Sequence, residues 1–312
     1  MNDRILSLEL FRFRLPLQPP LVLSEQALSD RQGLLLKWQL ADRAIWTEVS
    51  PLPGYSRETL AQCLTQLRDW YAAGPELSIT TLQQWSDPGW YPAVNFGLRS
   101  ALLAWQFPEP EQPQICQLLS YQDGVSQNTA DCIKIKVGQR PLVEDIRRVQ
   151  QLLDSGFSGR IRLDANGSWT LEQLDMFNRL PEYTAIEWFE EPLCHREDYR
   201  YWSQYSDIPY ALDESLYQVS KMPDYYSGLA AFILKPTLLG YDRTDKLIQY
   251  GRQLGVQCVL SSSFESPVGM ELIYRMAQSY KLSGAQGLDT LKYFPAMTSS
   301  GFISQSLESV SW

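Results

Sequence analysis

Apolar runs in the second two-thirds of the chain end at a nearly constant interval. From Lys136 to Asp164 is 28 residues, then 26 to Glu190, 23 to Asp213, 22 to Lys235, 27 to Ser262 and 26 to Leu288. That is roughly the length of one strand–helix unit. Six such steps, with an earlier strand near 115–119, match the strand count of a (β/α) barrel, which carries its chemistry at the C-terminal ends of its strands. A doubly wound open sheet would not bring five consecutive strand ends around one centre. The sequence therefore predicts an α/β barrel over 111–290.

The first 110 residues read differently. Runs at 5–15, 33–40 and 44–49 look like strands separated by Pro-rich or charged turns. Residues 57–70 and 96–105 look helical, the second after a Pro-Ala-Val-Asn start signal. Strands first and helices after suggest a small α+β unit over 1–110. Within the barrel, Leu142, Ile146, Val149 and Leu153 share one helical face, as do Leu247, Ile248 and Leu254.

Asp164 in IRLDAN, Glu190 in IEWFEEP and Asp213 in YALDES stand at three successive run ends. Lys134 and Lys136 in CIKIKV precede them, and Lys235 in AFILKP follows. Burying an unpaired ion is expensive, so charges at the ends of apolar strands need partners or a task. Oxygen ligands converging from neighbouring strands suit a hard divalent cation. Three carboxylates, with waters and a substrate carboxylate, complete an octahedral shell that points to Mg2+. Lysines beside such a centre suit acid–base work. Alternation puts Lys134 and Lys136 on one face of their strand and Ile133, Ile135 and Val137 on the other, so in a barrel both lysines point inward. Singly, each residue has a plainer reading: an edge strand for the lysine pair, a helix N-cap for Asp213, a surface loop for Lys235. Parity within IEWFEEP leaves Glu190 and Glu191 open.

A net charge of −9 argues against nucleic acid or an anionic membrane surface as partner. A small-molecule carboxylate would be drawn in by the lysines. No apolar run approaches the length of a bilayer span, and the N-terminal MNDRILSLELFRFRLPL alternates like a strand rather than a signal peptide. Cys63, Cys116, Cys132, Cys194 and Cys258 show no CxxC spacing and read as reduced core thiols of a cytoplasmic protein. The single histidine, His195, excludes a zinc site with several imidazoles and reads as a solvated loop group. Oligomeric state is left open.

Taken together, these motifs resemble the enolase superfamily, and within it the lysine-based muconate-lactonizing subgroup. The resemblance runs over essentially the whole chain. It rests on the Lys-x-Lys strand, the Asp-x-Asn strand end, Glu-Glu-Pro, Asp-Glu-Ser and Lys-Pro. Support comes from SPLPGYSRETL at 50–60, IRLDANGSW at 161–169, FEEPL at 189–193, SSSFESPVG at 261–269 and GLDT at 287–290. It implies a (β/α)7β modified TIM barrel with an α+β capping domain, to which 291–312 would return. It implies Mg2+, with Mn2+ able to substitute, on Asp164, Glu190 and Asp213. Lys136 would take the proton alpha to the substrate carboxylate, Lys235 would face it from the other side, and Lys134 would assist near the carboxylate. Asn166 and Glu214 would support these groups, and Ser262 and Ser263 would receive a succinyl carboxylate. Arg162 and the 21–31 loop would close over the substrate.

The implied reaction is loss of water from 2-succinyl-6-hydroxy-2,4-cyclohexadiene-1-carboxylate through an enediolate, in menaquinone or phylloquinone synthesis. Racemisation of N-succinyl amino acids, or cycloisomerisation, needs the same residues. Dipeptide epimerases carry Asp-x-Asp at the eighth strand end, where this chain has Leu288-Asp289-Thr290 with one Asp. Mandelate-type relatives need a histidine base at a strand end, and none is available. A non-catalytic barrel that binds a metal or a small acid is the alternative outside enzyme chemistry.

Overall fold

The computed structural model describes residues 4–23, 26–82, 84, 87, 89–119, 130–179, 185–217, 221–304 and 307–312. Three N-terminal strands form an antiparallel sheet: β1 (Ser7–Leu23), β2 (Gln26–Gln39) and β3 (Ala44–Val49). β1 changes its buried face along its length. Leu8 and Leu10 join the large central core with Leu34, Leu36 and Trp38 of β2, whereas Phe13, Leu15 and Leu17 join a smaller core with Leu35 and Phe302. Both faces of the sheet are therefore covered, and neither strand reads as a clean half-polar alternation.

Among the described residues, seven parallel strands follow in strict sequence order: β4 (Gln117–Leu119), β5 (Cys132–Lys136), β6 (Arg160–Asp164), β7 (Ile186–Glu190), β8 (Tyr210–Leu212), β9 (Leu229–Leu234) and β10 (Gln257–Leu260). The segment 285–288 closes them into a barrel. Gln286 exchanges backbone hydrogen bonds with Gln114 and Cys116 at 2.7 and 2.8 Å. On its other side Gly287 donates to Leu260 O at 2.9 Å and accepts from Ser262 N at 3.1 Å. The eight-stranded barrel expected from the strand interval is thus present. β11 (Glu308–Val310) then pairs antiparallel with Leu10–Arg12 of β1.

Outward side chains such as Ile133, Ile135, Leu163, Phe189 and Phe232 pack in the core beneath the helices. The helix Leu142–Asp154 lays Val149 and Leu152 on it, and Tyr241–Leu254 lays Leu247 and Ile248. Among the described residues, the units after β7 and β8 depart from the strand–helix pattern. A 3-10 run, Arg196–Gln204, follows β7, and only the short 3-10 turn Glu214–Leu216 is described after β8. These are the two shortest intervals, 23 and 22 residues, too brief for a full helix with its two connections.

The helix Pro92–Gln106 joins the two parts. Pro92 sits at its first position, and ten of its residues are buried, so it has no free apolar stripe. Asn95 and Arg99 reach Asp242 at 2.9 and 3.0 Å, on the helix Tyr241–Leu254. The helix Leu60–Ala72 starts later than its pattern suggested, because Thr59 and Gln62 form a capping box that fixes its first turn.

The 21–31 segment, expected as a loop, continues β1 and β2 as a hairpin, with Leu21 paired to Leu28 and Val22 to Ala27. The prolines at 16, 19 and 20 that read as a turn fall where the register shifts between Pro16 and Leu21, and the ladder resumes beyond them.

Candidate active site

The register of the barrel sets the site. Lys136 pairs with Asp164, and Asp164 with Glu190, so three charged residues lie in one row across adjacent strands. Glu190 pairs with Ala211, two residues before Asp213. Because side chains alternate, Lys134, Arg162 and Trp188 occupy the next row inward. Trp188, Ala211, Ala231, Ile233 and Val259 fill the interior of the barrel with apolar atoms. The charged rim therefore stands on a dry floor, where charge interactions are strong.

Lys134 Nζ bridges Asp164 Oδ2 at 3.1 Å and Glu190 Oε1 at 2.8 Å. Lys235 Nζ lies 2.9 and 2.6 Å from the two oxygens of Asp213. Burial favours neutral Lys134, but Asp164 and Glu190 outweigh it and hold its pKa above the ordinary lysine value. Burial likewise opposes the charge on Asp164, and the lysines, Lys134 first, bring it below the usual carboxylate range. Burial and the neighbouring Glu214 push Asp213 well above that range. Asp213 opens the 3-10 turn, yet its side chain makes no capping hydrogen bond, which removes the plain N-cap reading.

Glu190 and Glu191, which parity could not separate, have different surroundings. Glu191 has φ +39 and is turned away from the rim. Its carboxylate accepts from Asp213 N at 2.8 Å, Ser215 N at 3.0 Å, Ser215 Oγ at 2.5 Å and Tyr199 OH at 3.2 Å. It is fully engaged in holding the 213–215 turn, which leaves Glu190 to face the cavity.

Lys136 donates to Asn166 Oδ1 at 3.0 Å, and Asn166 Nδ2 donates to Glu214 Oε1 at 2.9 Å. Asn166 holds φ +47, a conformation that asparagine tolerates better than most residues. On the far side, Ser262 Oγ shares a hydrogen bond with Thr290 Oγ1 at 2.7 Å, and Ser263 Oγ is buried without a partner. Lys134, Lys136, Asp164, Glu190, Lys235 and the two serines line one cavity of about 300 Å³, whereas Asp213, held by Lys235, is not part of its wall. Its remaining wall includes Leu21, Tyr55, Leu118, Gln139, Phe264 and Tyr293. Sequence reasoning assigned none of these except Leu21, within its loop. Tyr55 and Phe264 lie in segments that the resemblance quoted, and that was the available signal.

Three expectations need correction. Arg162 does not close over the cavity but belongs to its floor, 1% exposed, with Nε on Glu187 at 2.7 Å and Nη1 on Ala285 O at 2.8 Å. Of the 21–31 segment Leu21 lines the cavity, but Arg31 is as buried as Arg162 and donates to the carbonyls of Phe264, Pro51 and Ser50 at 3.0, 3.0 and 2.7 Å, which ties the cap to the barrel. Cys194 is exposed rather than a core thiol. His195, also exposed, does not line the cavity.

The donor set suits a hard cation: it is all oxygen, and Asp164 Oδ1 is buried with no hydrogen-bond partner. As the side chains stand, among the described residues no three acidic, histidine or cysteine groups gather closely enough to hold a metal. The ammonium groups of Lys134 and Lys235 neutralise the carboxylates that would otherwise hold a cation.

Two family models cover most of the chain: "MenC, N-terminal domain" over 5–105 and "Enolase C-terminal domain-like" over 120–293. Among curated proteins, the o-succinylbenzoate synthase of Yersinia enterocolitica serotype O:8 / biotype 1B is 32% identical over 305 residues, covering 92% of this chain and 91% of its own. That of Citrobacter koseri is 33% identical over 297 residues, with 91% of each covered. The chain belongs to the o-succinylbenzoate synthase family.

Solved structures share the family's fold. An o-succinylbenzoate synthase from Thermosynechococcus elongatus BP-1, complexed with Mg in its active site, matches with a TM-score of 0.73 at 22% identity, over 96% of this chain and 98% of that one. The L-Ala-D/L-Glu epimerase of Bacillus subtilis matches with a TM-score of 0.73 at 16% identity, over 94% and 92%.

Proposed function

We propose that this protein is an o-succinylbenzoate synthase, which removes water from 2-succinyl-6-hydroxy-2,4-cyclohexadiene-1-carboxylate in menaquinone or phylloquinone synthesis. The observation that carries the proposal is the order around the rim: Lys136, three carboxylates in succession, then Lys235. Lys136, held by Asn166, is the base that takes the proton alpha to the substrate carboxylate. The same ammonium can then protonate the departing hydroxide on one face, a syn elimination. Lys235 and Lys134 put positive charge beside the carboxylate as its negative charge grows.

Asp164, Glu190 and Asp213 would hold a divalent cation, Mg2+ with Mn2+ as a substitute. It would supply the electrostatic stabilisation that makes so weak a carbon acid removable by an amine. Ser263 and Ser262 would receive the succinyl carboxylate, a reading supported by Ser263 Oγ being buried and unpaired in the cavity wall. Five free thiols fit a reducing compartment, the cytoplasm.

Lysines on both sides of the rim also suit a 1,1-proton transfer, so racemisation of N-succinyl amino acids is the second reading. A substrate ammonium at the eighth strand is disfavoured, because Asp289 already accepts from Leu118 N at 2.9 Å and pairs with Lys292 at 2.7 Å. The test is a direct dehydration assay with Mg2+ beside a panel of N-succinyl amino acids. Dehydration far above racemisation supports the proposal; racemisation alone overturns it.

A further inference from the structure

Cys116 and Cys132 face each other on the floor of the barrel, and the chemistry proposed above uses neither. Gln117 pairs with Ile133, so the two cysteines stand opposite one another at the N-terminal ends of β4 and β5. Their sulfurs are 3.1 Å apart and share a hydrogen bond, and no disulfide joins them. Cys116 lines the active-site cavity, so a small reagent that enters there reaches one sulfur directly.

The surroundings differ from those of the other buried thiols. Cys258 is pushed up to about 11 by burial, and burial raises Cys63 further. At Cys132 the hydrogen bond with Cys116, together with the charge of Arg162, outweighs burial and holds the thiol below its ordinary value. Thiolate character and a neighbouring thiol are what a reversible oxidation site requires.

We propose that Cys116 and Cys132 are a modification site, a dithiol that hydrogen peroxide closes to a disulfide through the active-site cavity. The Cys132 thiolate draws the proton from Cys116, whose sulfur at the cavity attacks one peroxide oxygen, breaks the O–O bond and becomes a sulfenic acid as hydroxide leaves. Cys132 passes that proton to the hydroxide, and its sulfur then attacks the sulfenic sulfur and expels the hydroxyl group. The two thiol protons end on the two departing oxygens. In sum, two thiols and one peroxide give one disulfide and two waters: the sulfurs lose two electrons and the peroxide gains them. Closure draws the sulfurs from 3.1 Å to about 2.05 Å, shifting β5 just two residues before Lys134.

The test uses the full chain carrying Cys194→Ser, which removes the exposed thiol. Hydrogen peroxide is added, free thiols are alkylated under denaturing conditions, and peptides are mapped by mass spectrometry. The expected result is a Cys116–Cys132 linked peptide, lost on addition of dithiothreitol and absent when Cys132→Ser or Cys116→Ser is added. Both residues recovered alkylated after peroxide, or one carrying added oxygen with no link, overturns the proposal. Should either serine variant fail to fold, the linked peptide in the parent decides. The readout is a covalent link and not turnover, so it stands or falls independently of the dehydratase reading.

Discussion

Lys136 Nζ sits 3.0 Å from Asn166 Oδ1, and the other end of that amide is fixed by Glu214 at 2.9 Å. The amide aims a flexible side chain at the cavity. Lys136→Ala should lower dehydration by ~10^2–10^4-fold while the thermal midpoint and Mg2+ affinity stay close to the parent values. Asn166→Ala should fall between the two, since the lysine remains but is no longer aimed. Steady-state rates beside a metal titration check both. A Lys136→Ala variant that keeps most of its turnover removes Lys136 as the base.

Glu190 and Glu191 should separate in opposite experiments. Glu190→Gln should weaken Mg2+ binding by more than the ~10–100-fold typical of losing an outer partner, with little change in stability. Glu191→Gln places an amide NH2 among four donors, so it should cost about 3 kcal/mol of stability by leaving buried donors unsatisfied. Calorimetric Mg2+ titration and urea unfolding give the two readings. An unchanged titration for Glu190→Gln would remove Glu190 from the ligand set.

Metal removal should act on rate and stability together. Chelation should abolish turnover and leave the protein folded, because Lys134 and Lys235 already neutralise the carboxylates. Adding Mg2+ to a hundred times its Kd should raise stability by about 2.7 kcal/mol, and Asp164→Asn should erase most of that gain. Thermal unfolding with and without Mg2+ measures it; identical curves would exclude a site on these residues.

The barrel and its charged rim were legible because both follow from spacing. A charged residue at each of five successive strand ends, recurring at the length of a strand–helix unit, fixes which face of each strand carries chemistry. Contacts between distant segments were not legible. Arg31 looks like a hairpin cation until Phe264, 233 residues away, presents its carbonyl. Parity could not choose between Glu190 and Glu191, because the backbone leaves strand geometry at Glu191. The facing of Cys116 and Cys132 depends on the register of β4 against β5, which no local pattern encodes.

Gly97 gives a prediction that runs against local propensity. It lies inside the helix Pro92–Gln106, where alanine would ordinarily gain about 1 kcal/mol over glycine. A Cβ at this position would lie 2.3 Å from Val49 Cγ2 and 2.8 Å from Glu48 O. The carbonyl belongs to β3 and cannot swing aside as a long side chain could. Forcing β3 and the helix apart costs about 1–3 kcal/mol, enough to outweigh the propensity gain. The strain also has a route to the cavity. Glu48 accepts from Ser266 N at 3.2 Å, from Ser266 Oγ and from Gly269 N at 3.0 Å, and so anchors the helix Pro267–Tyr280 that follows Ser262 and Ser263. Gly97→Ala should therefore lower the urea midpoint with an unchanged slope, and raise KM for the succinyl substrate more than it lowers kcat. A midpoint at or above that of the parent would mean that helix and sheet can separate freely, and that the cap does not hold the far wall of the cavity through this contact.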